Sequence, residues 1–320
     1  SLFVYNGTPF IAYIDNANGQ KATVMKFETG TWSPVGSPAF SAGGTGYPSL
    51  FVYNGTPYVA YEDCGNDLKA TVMSFEAGSG SWVPVGSPGF SSGEAMWTSL
   101  FIYNGIPYVA YSDASFGDKA NVMKYSGVTW EFVGSPGFSD GQIGFVSLYI
   151  YNGIPYFAYT ETPSGYKLTV MSFEAVSGTW QPVGNKCFSW STAWHHSLFV
   201  DSGIPYVSYG DGFTPKVTVM KFYGGSWVSV GSERFSPQEV YDTSLFVYSG
   251  TPYVAYRDST SGNKASVMKF NGTAWELVGK PAFSPGEADN VSLFIYNGTL
   301  YLAYTDYANG QKATVMKYEP

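Results

Sequence analysis

Apolar residues along this chain come in short runs, each closed by Gly, Asn, Ser or Pro. A typical stretch reads "SLFVY", then "NG", then "TPYVAYED". Asn-Gly between two such runs predicts a tight β-hairpin, because both central residues of a type I′ turn need positive φ. A loop of about five residues leads to "KATVMSF", and a Gly/Ser turn leads to "SWVPVG". We denote these four segments a, b, c and d. Each is short enough to be a strand, and no stretch repeats its apolar residues at helical spacing. Within segment b the apolar residues do not alternate: Tyr58, Val59, Ala60 and Tyr61 run together. A sheet with one wet face alternates, whereas a sheet covered on both faces does not.

The same unit returns along the whole chain. Ser-Leu opens it at Ser1, Ser49, Ser99, Ser147, Ser197, Ser244 and Ser292, at spacings of 48, 50, 48, 50, 47 and 48 residues. Four antiparallel strands at this period are the signature of a β-propeller. The expected fold is therefore all-β: one seven-bladed propeller domain over 1–320, with blades 1–48, 49–98, 99–146, 147–196, 197–243, 244–291 and 292–320. Only six d segments exist, since the last unit closes on "KATVMKYEP". The seventh blade is expected to have three strands, with its 312–318 edge open to strand addition.

The order a–b–c–d, with "YNGTPYVAY" and a Trp opening segment d, resembles kelch-type blades. The Gly-Gly doublet of kelch repeats is replaced here by "YxD". The unit resembles more closely the "GTPYVAYxD…KATVMKF…W…VG…GFS" repeats of bacterial secreted and surface propellers. That resemblance spans the chain and implies a blade scaffold on the cell surface or outside the cell. It implies no shared catalytic motif, because propellers carry many unrelated activities.

Charge narrows the partners. The net charge is −8, and charged residues make up only 12% of the chain. Nucleic acid would require clustered Lys and Arg, and so would an anionic membrane surface. No apolar run approaches the roughly 20 residues of a membrane span. The aromatic content of 18% with abundant Gly suits a β-rich, exported protein. Cys64 and Cys187 stand at non-equivalent places in their repeats and are expected to be unpaired thiols.

Residues that every unit shares are scaffold, and function sits in what remains. Met25, Met73, Met123, Met171, Met220, Met268 and Met316 all lie in segment c, and Trp32, Trp82, Trp130, Trp180, Trp227 and Trp275 all open segment d. They are expected to fill the core between blades. An acid ends each segment b, as at Asp63, and a lysine opens each segment c, as at Lys69. The pair suggests an ion pair across each hairpin. Asn-Gly-Thr at Asn6, Asn54, Asn271 and Asn297 matches a glycosylation pattern but is accounted for by the turns.

Variation concentrates in the d–a connections, just before Ser-Leu. Two residues ahead of each Ser stand Tyr47, Trp97, Phe145, His195, Asp242 and Asn290. With segment a innermost, these are expected to ring the mouth of a central channel. Met96, Trp190, Trp194, His196 and Tyr241 share the same connections and complete the expected ligand-binding set.

Catalysis is poorly supported by local motifs. There is no Gly-x-Ser-x-Gly elbow and no third histidine, and adjacent His195 and His196 point to opposite sides of an extended chain. A glycosidase would draw on Glu94, Glu239, Asp242, Glu287 and Asp289, but a sialidase-like arginine cluster is absent, with only Arg234 and Arg257 in the chain. Loops such as "DNANGQ" hold oxygens that could take calcium loosely, though an Asx-turn explains them, and no cofactor or metal is expected. The expected role is a non-catalytic, secreted or cell-surface binding module for a glycan. The alternative is a structural propeller that binds a surface protein through the blade-seven edge.

Overall fold

The computed structural model describes residues 1–237 and 239–319. Among these residues the strands form six antiparallel sheets of four and a seventh of three, each in sequence order. This is the seven-bladed β-propeller, with the last blade three-stranded. Blade two shows the pattern: a is Thr45–Tyr53, b is Thr56–Asp63, c is Lys69–Glu76 and d is Ser81–Pro84. The Asn-Gly hairpins form as expected, with φ 49° at Asn54 and 80° at Gly55. Packing divides the chain into two compact units, Ser1–Pro155 with Phe173–Gln181, and Tyr156–Ser172 with Pro182–Pro320.

Side chains of the repeat tie neighbouring blades to one another. In the first unit the hydroxyls of Ser1, Ser49 and Ser99 accept the backbone N–H of Leu50, Leu100 and Leu148, one blade on, at 3.1, 2.9 and 3.0 Å. In the second unit Ser197 and Ser244 receive Leu245 and Leu293 in the same way. At Ser49, Ser99 and Ser244 the Ser-Leu pair supplies both halves of an inter-blade clasp, an acceptor from the serine and a donor from the leucine. Aromatic residues two places after these serines pack in series along the a strands with tilted rings, Phe3–Phe51–Phe101–Tyr149 in one unit and Phe199–Phe246–Phe294 in the other.

The d-strand tryptophans do more than fill space. The Nε1–H of Trp82, Trp130 and Trp180 donates to the carbonyl of Val35, Val85 and Val133, each on the preceding blade, at 2.7–2.8 Å. Trp227 and Trp275 reach Val183 and Val230 in the second unit. The same indoles stack nearly parallel on Phe40, Phe90, Phe138, Phe188 and Phe235 of the preceding blade, with centroids 4.0–4.7 Å apart. Each indole therefore buries its face and satisfies its one donor at the same seam.

Two expectations are corrected. At Asp63 and Asp113 the repeated acid is held by hydrogen-bond donors rather than by its lysine. Asp63 is buried, and its carboxylate accepts the Gly65 N–H, the Asn66 amide and the Thr71 hydroxyl at 2.8–3.0 Å. Asp113 accepts the Ser115 N–H and, from the blade before it, the Gly93 N–H. The Asp63 carboxylate is thus satisfied by neutral donors without an ammonium. In the "DNANGQ" loop, likewise, the Asp15 carboxylate takes the Asn18 amide at 2.8 Å.

The second correction concerns the a strands. They begin four residues ahead of Ser-Leu, at Thr45, Ala95, Ile143, Ala193, Val240 and Ala288. The variable residues before Ser are therefore in strand, not in loop. Cys64 and Cys187 are free thiols.

If the seams hold the blades together, removing one bond at a seam should lower stability of the whole. Ser99→Ala leaves the Leu148 N–H without its acceptor, and Trp130→Phe keeps a ring on Phe90 but leaves the Val85 carbonyl unpaired. Each is expected to cost ~1–3 kcal/mol in urea unfolding, against no measurable loss for Ser79→Ala on an exposed turn.

Candidate functional site

The residue two places before each Ser sits on a bulge. Pairing of a with b slips there, between Gly46 and Ser49 in blade two and between Trp194 and Ser197 in blade five. Tyr47, Trp97, Phe145, His195, Asp242 and Asn290 all take positive φ, 49°, 60°, 47°, 45°, 54° and 54°. For residues with a Cβ this conformation costs ~1–3 kcal/mol each and persists only where the surroundings impose it. A threonine of the next blade fixes the bend: Thr98 donates its hydroxyl to the Tyr47 carbonyl and Thr243 to the His195 carbonyl, both at 2.6 Å.

In the first unit the bulge residues make an aromatic platform. Tyr47 lies against Trp97 and Trp97 against Phe145, with centroids 4.4 and 4.7 Å apart. Tyr47 remains 40% exposed. Glu62 packs beside this strand, and burial, with Glu94 nearby, pushes its carboxyl above the ordinary range. Met96, next to Trp97, is half-buried.

In the second unit the same positions are polar and converge. His195 Nδ1 lies 3.1 Å from Asp242 Oδ1, and the other oxygen of Asp242 accepts the Asn290 N–H at 2.8 Å. Arg257 hydrogen-bonds Asp289, lies 3.4 Å from Glu287, and stacks its guanidinium over the Tyr241 ring at 4.6 Å. Tyr307 donates its hydroxyl to the other oxygen of Asp289 at 3.0 Å. Burial pushes His195 below its ordinary value and Arg257 adds to this, while Asp242 opposes it. The ring is therefore neutral at pH 7. With Nδ1–H held by the Asp242 carboxylate, the lone pair is on Nε2, the form that accepts a proton.

Of the residues expected from sequence, the structure joins His195, Tyr241, Asp242 and Asn290 in one cluster, and Tyr47, Trp97 and Phe145 in another. Trp190 is 77% exposed in the d–a connection, and Trp194 lies beside Gly210 on the strand. His196 lies apart from both clusters. It faces inward, buried, with Nε2 3.0 Å from the Ala158 carbonyl. Sequence reading missed Arg257, Asp289 as Arg257's partner, and Tyr307. The signal was present: the x of "YxD" in segment b reads Ile14, Glu62, Ser112, Thr160, Gly210, Arg257 and Thr305. It varies inside an otherwise repeated strand and lies across from the bulge, as Tyr241 pairs with Arg257.

Among the described residues no group of three or more His, Cys, Asp or Glu is arranged to hold a metal ion. No helix among them is long and apolar enough to cross a membrane.

The fold and its strained inner strands define a propeller with side chains of several blades gathered at the bulges. No protein-family model and no curated protein sequence matches this chain. Solved structures do. The chain is similar to a polysaccharide lyase, PL25 ulvan lyase, solved bound to a GlcA–Rha3S saccharide, at 12% identity and a TM-score of 0.64, covering 99% of this chain and 90% of that one. A further structure of an ulvan lyase of this family gives a TM-score of 0.63. The protein YjhT is similar over 87% of this chain and 95% of its own, at 12% identity and a TM-score of 0.54.

At this identity the likeness establishes the fold. The expectation of a non-catalytic binding or structural module runs against these findings, because two of the solved propellers matched over nearly the whole of this chain are polysaccharide lyases. The absence of a local catalytic motif does not exclude catalysis. A propeller can gather its reactive groups from different blades, and no short motif then records them.

Burial of His196 has a measurable consequence. Its folded value is pushed down to about 4 from the ordinary 6.5, so the unfolded chain takes up this proton first as pH falls. Stability is complete above about pH 6.5 and is lost between there and about pH 4, by up to ~3 kcal/mol from this group. Thermal melts across that window should show the loss, and His196→Gln should flatten it.

Proposed function

We propose that this chain is a carbohydrate-processing enzyme that cleaves a uronate-bearing polysaccharide by β-elimination, with His195 as the proton acceptor. The observation that carries the reading is the neutral His195–Asp242 pair in one cluster with Arg257, Tyr241 and Tyr307. Elimination beside a carboxylate needs a base for the carbon-bound proton, a cation to stabilise charge that develops on the carboxylate, and a donor to the leaving oxygen. His195 supplies the first. Arg257 supplies the second, and the substrate carboxylate would take the place of Glu287, the longer and more exposed of its two partners. Tyr307, exposed and held by Asp289, supplies the hydroxyl. The similarity to ulvan lyase supports the substrate class.

The aromatic platform of Tyr47, Trp97 and Phe145 offers sugar rings an apolar face, in keeping with binding of a polymer. Polysaccharides of this kind are met outside cells, so a secreted or cell-surface location and the bacterial surface-propeller class remain part of the proposal. The chemistry calls on side chains alone.

The protein should be incubated with glucuronate-bearing polysaccharides while ultraviolet absorbance of the unsaturated product and new reducing ends are followed. Both should rise together. Reducing ends without the chromophore would replace elimination with hydrolysis, and neither signal on any acidic polysaccharide would sink the reading. His195→Gln is expected to lower kcat by ~10²–10⁴-fold with an unchanged melting temperature. The acid limb of the pH profile should lie below 6.5, the ordinary histidine value. Asp242→Asn removes the charge that raises His195, so that limb should move further toward acid.

A further inference from the structure

The repeat departs from itself where strand a of blade five ends. In the other blades strand a closes on a tyrosine: Tyr5, Tyr53, Tyr103, Tyr151, Tyr248 and Tyr296. Where the contact is described, this ring reaches the glycine of the next blade's a–b turn. A Cβ at Gly55, Gly105 or Gly153 would stand 3.4–3.6 Å from the ring of Tyr5, Tyr53 or Tyr103, and one at Gly298 would stand 4.0 Å from the Tyr248 hydroxyl. In blade five the closing residue is Asp201. At Gly250, the turn that a tyrosine there would cover, the same position meets nothing within 4 Å beyond its chain neighbours.

A cavity of about 520 Å³ opens at this seam, lined by Tyr206 and Lys221 of blade five and by Gly250, Tyr253, Lys269 and Asn271 of blade six. Two ammoniums thus share one pocket in a chain of net charge −8. Lys269 has an acid, Glu276, at 3.4 Å. Lys221 differs. Val228 stands opposite it in the ladder where blade six has Glu276, and Tyr223 stands where blade one has Glu28, the partner of Lys26. Both places from which an acid neutralises such a lysine elsewhere are therefore apolar or aromatic, and the ammonium lies 5.3 Å from the Tyr223 ring centre. Burial, and then the charge of nearby Asp201, push the Tyr206 hydroxyl above its ordinary value, so it is a donor at neutral pH. Asp201 is on strand a and Lys221 on strand c, so acceptor and cation lie roughly 10 Å apart across the sheet.

We propose that this pocket is a second carbohydrate site, which holds without cleaving one acidic pyranose unit of a polysaccharide. The sugar ring takes the place over Gly250 that a tyrosine ring fills at other seams. Its carboxylate or sulfate lies on Lys221, and ring hydroxyls donate to Asp201. Tyr206 and Tyr253 give the ring walls that are apolar on the face and polar at the tip. The nine-residue strand a of blade six separates the pocket from its bulge by roughly 25 Å, so the site is distinct from the His195 cluster. A polymer held at both places is retained at high effective concentration beside the cluster. The inference rests on the reading above for the class of polymer alone, since the pocket stands on its own residues.

The test follows backbone amides of the isotope-labelled protein by NMR while methyl glucuronide, a glucose sulfate ester or neutral methyl glucoside is added. The amides of Gly250, Thr251 and Asn271 should move saturably with one or both acidic sugars, and the sugar that acts names the acidic group. Lys221→Gln should weaken this response at least about tenfold. Asp201→Tyr restores the residue of the other blades and should abolish the response with the fold kept. Turnover does not enter this readout, so the site and the elimination reading can each fail alone. No movement of these amides at about 100 mM sugar, an equal response to the neutral glucoside, or an undiminished response in both variants would overturn the proposal.

Discussion

A β-sheet blade cannot stand alone, because both of its faces are apolar and its outer strands are short. What makes the repeat a folded protein is the bond that leaves the blade. The indole of each described d-strand tryptophan after the first crosses to the preceding blade, stacks on a phenylalanine and donates to a valine carbonyl. On the inner strands, serine hydroxyls accept the leucine N–H of the next blade. Both contacts satisfy a polar group at a seam that is otherwise apolar, so they fix register as well as add stability. The repeated Ser-Leu, the d-strand tryptophan with its valine and phenylalanine partners, and the buried acid of the b–c turn all serve such contacts.

Because the seams bear the packing, the bulge on each inner strand is released from repetition. Its backbone is strained in the same way in six blades, yet its side chain differs in each. The constraint acts on φ and on the carbonyl held by the next blade's threonine, where that threonine exists, and leaves the side chain open to change. In one unit this freedom yields a row of aromatic rings in contact. In the other it yields a neutral histidine oriented by a carboxylate, beside an arginine held between acids and a tyrosine ring. One backbone device thus supplies both surfaces suited to sugar rings and groups suited to moving a proton.

Blade count, strand order, the hairpin turns and the short seventh blade were all legible in the sequence, because each rests on a pattern that repeats within a few tens of residues. So was the position that carries variable chemistry, since comparison of the units isolates it. The role of that chemistry was not legible. Arg257 was hidden in a strand that reads as scaffold, and it becomes meaningful only because Tyr241 and Asp289 meet it from neighbouring strands. His195 and His196 are adjacent and identical in type, yet one joins the carboxylate cluster and the other is buried against a carbonyl.

The amino-acid order by itself determined the repeat, since turn residues and apolar runs act locally and each unit states them again. Only the tertiary structure decided which side chains meet. The slip in pairing at each bulge turns one residue out of the strand's alternation, and the seams bring bulges of different blades within hydrogen-bonding distance. Neither the slip nor the meeting is a property of any single segment, which is why no short motif records the cluster.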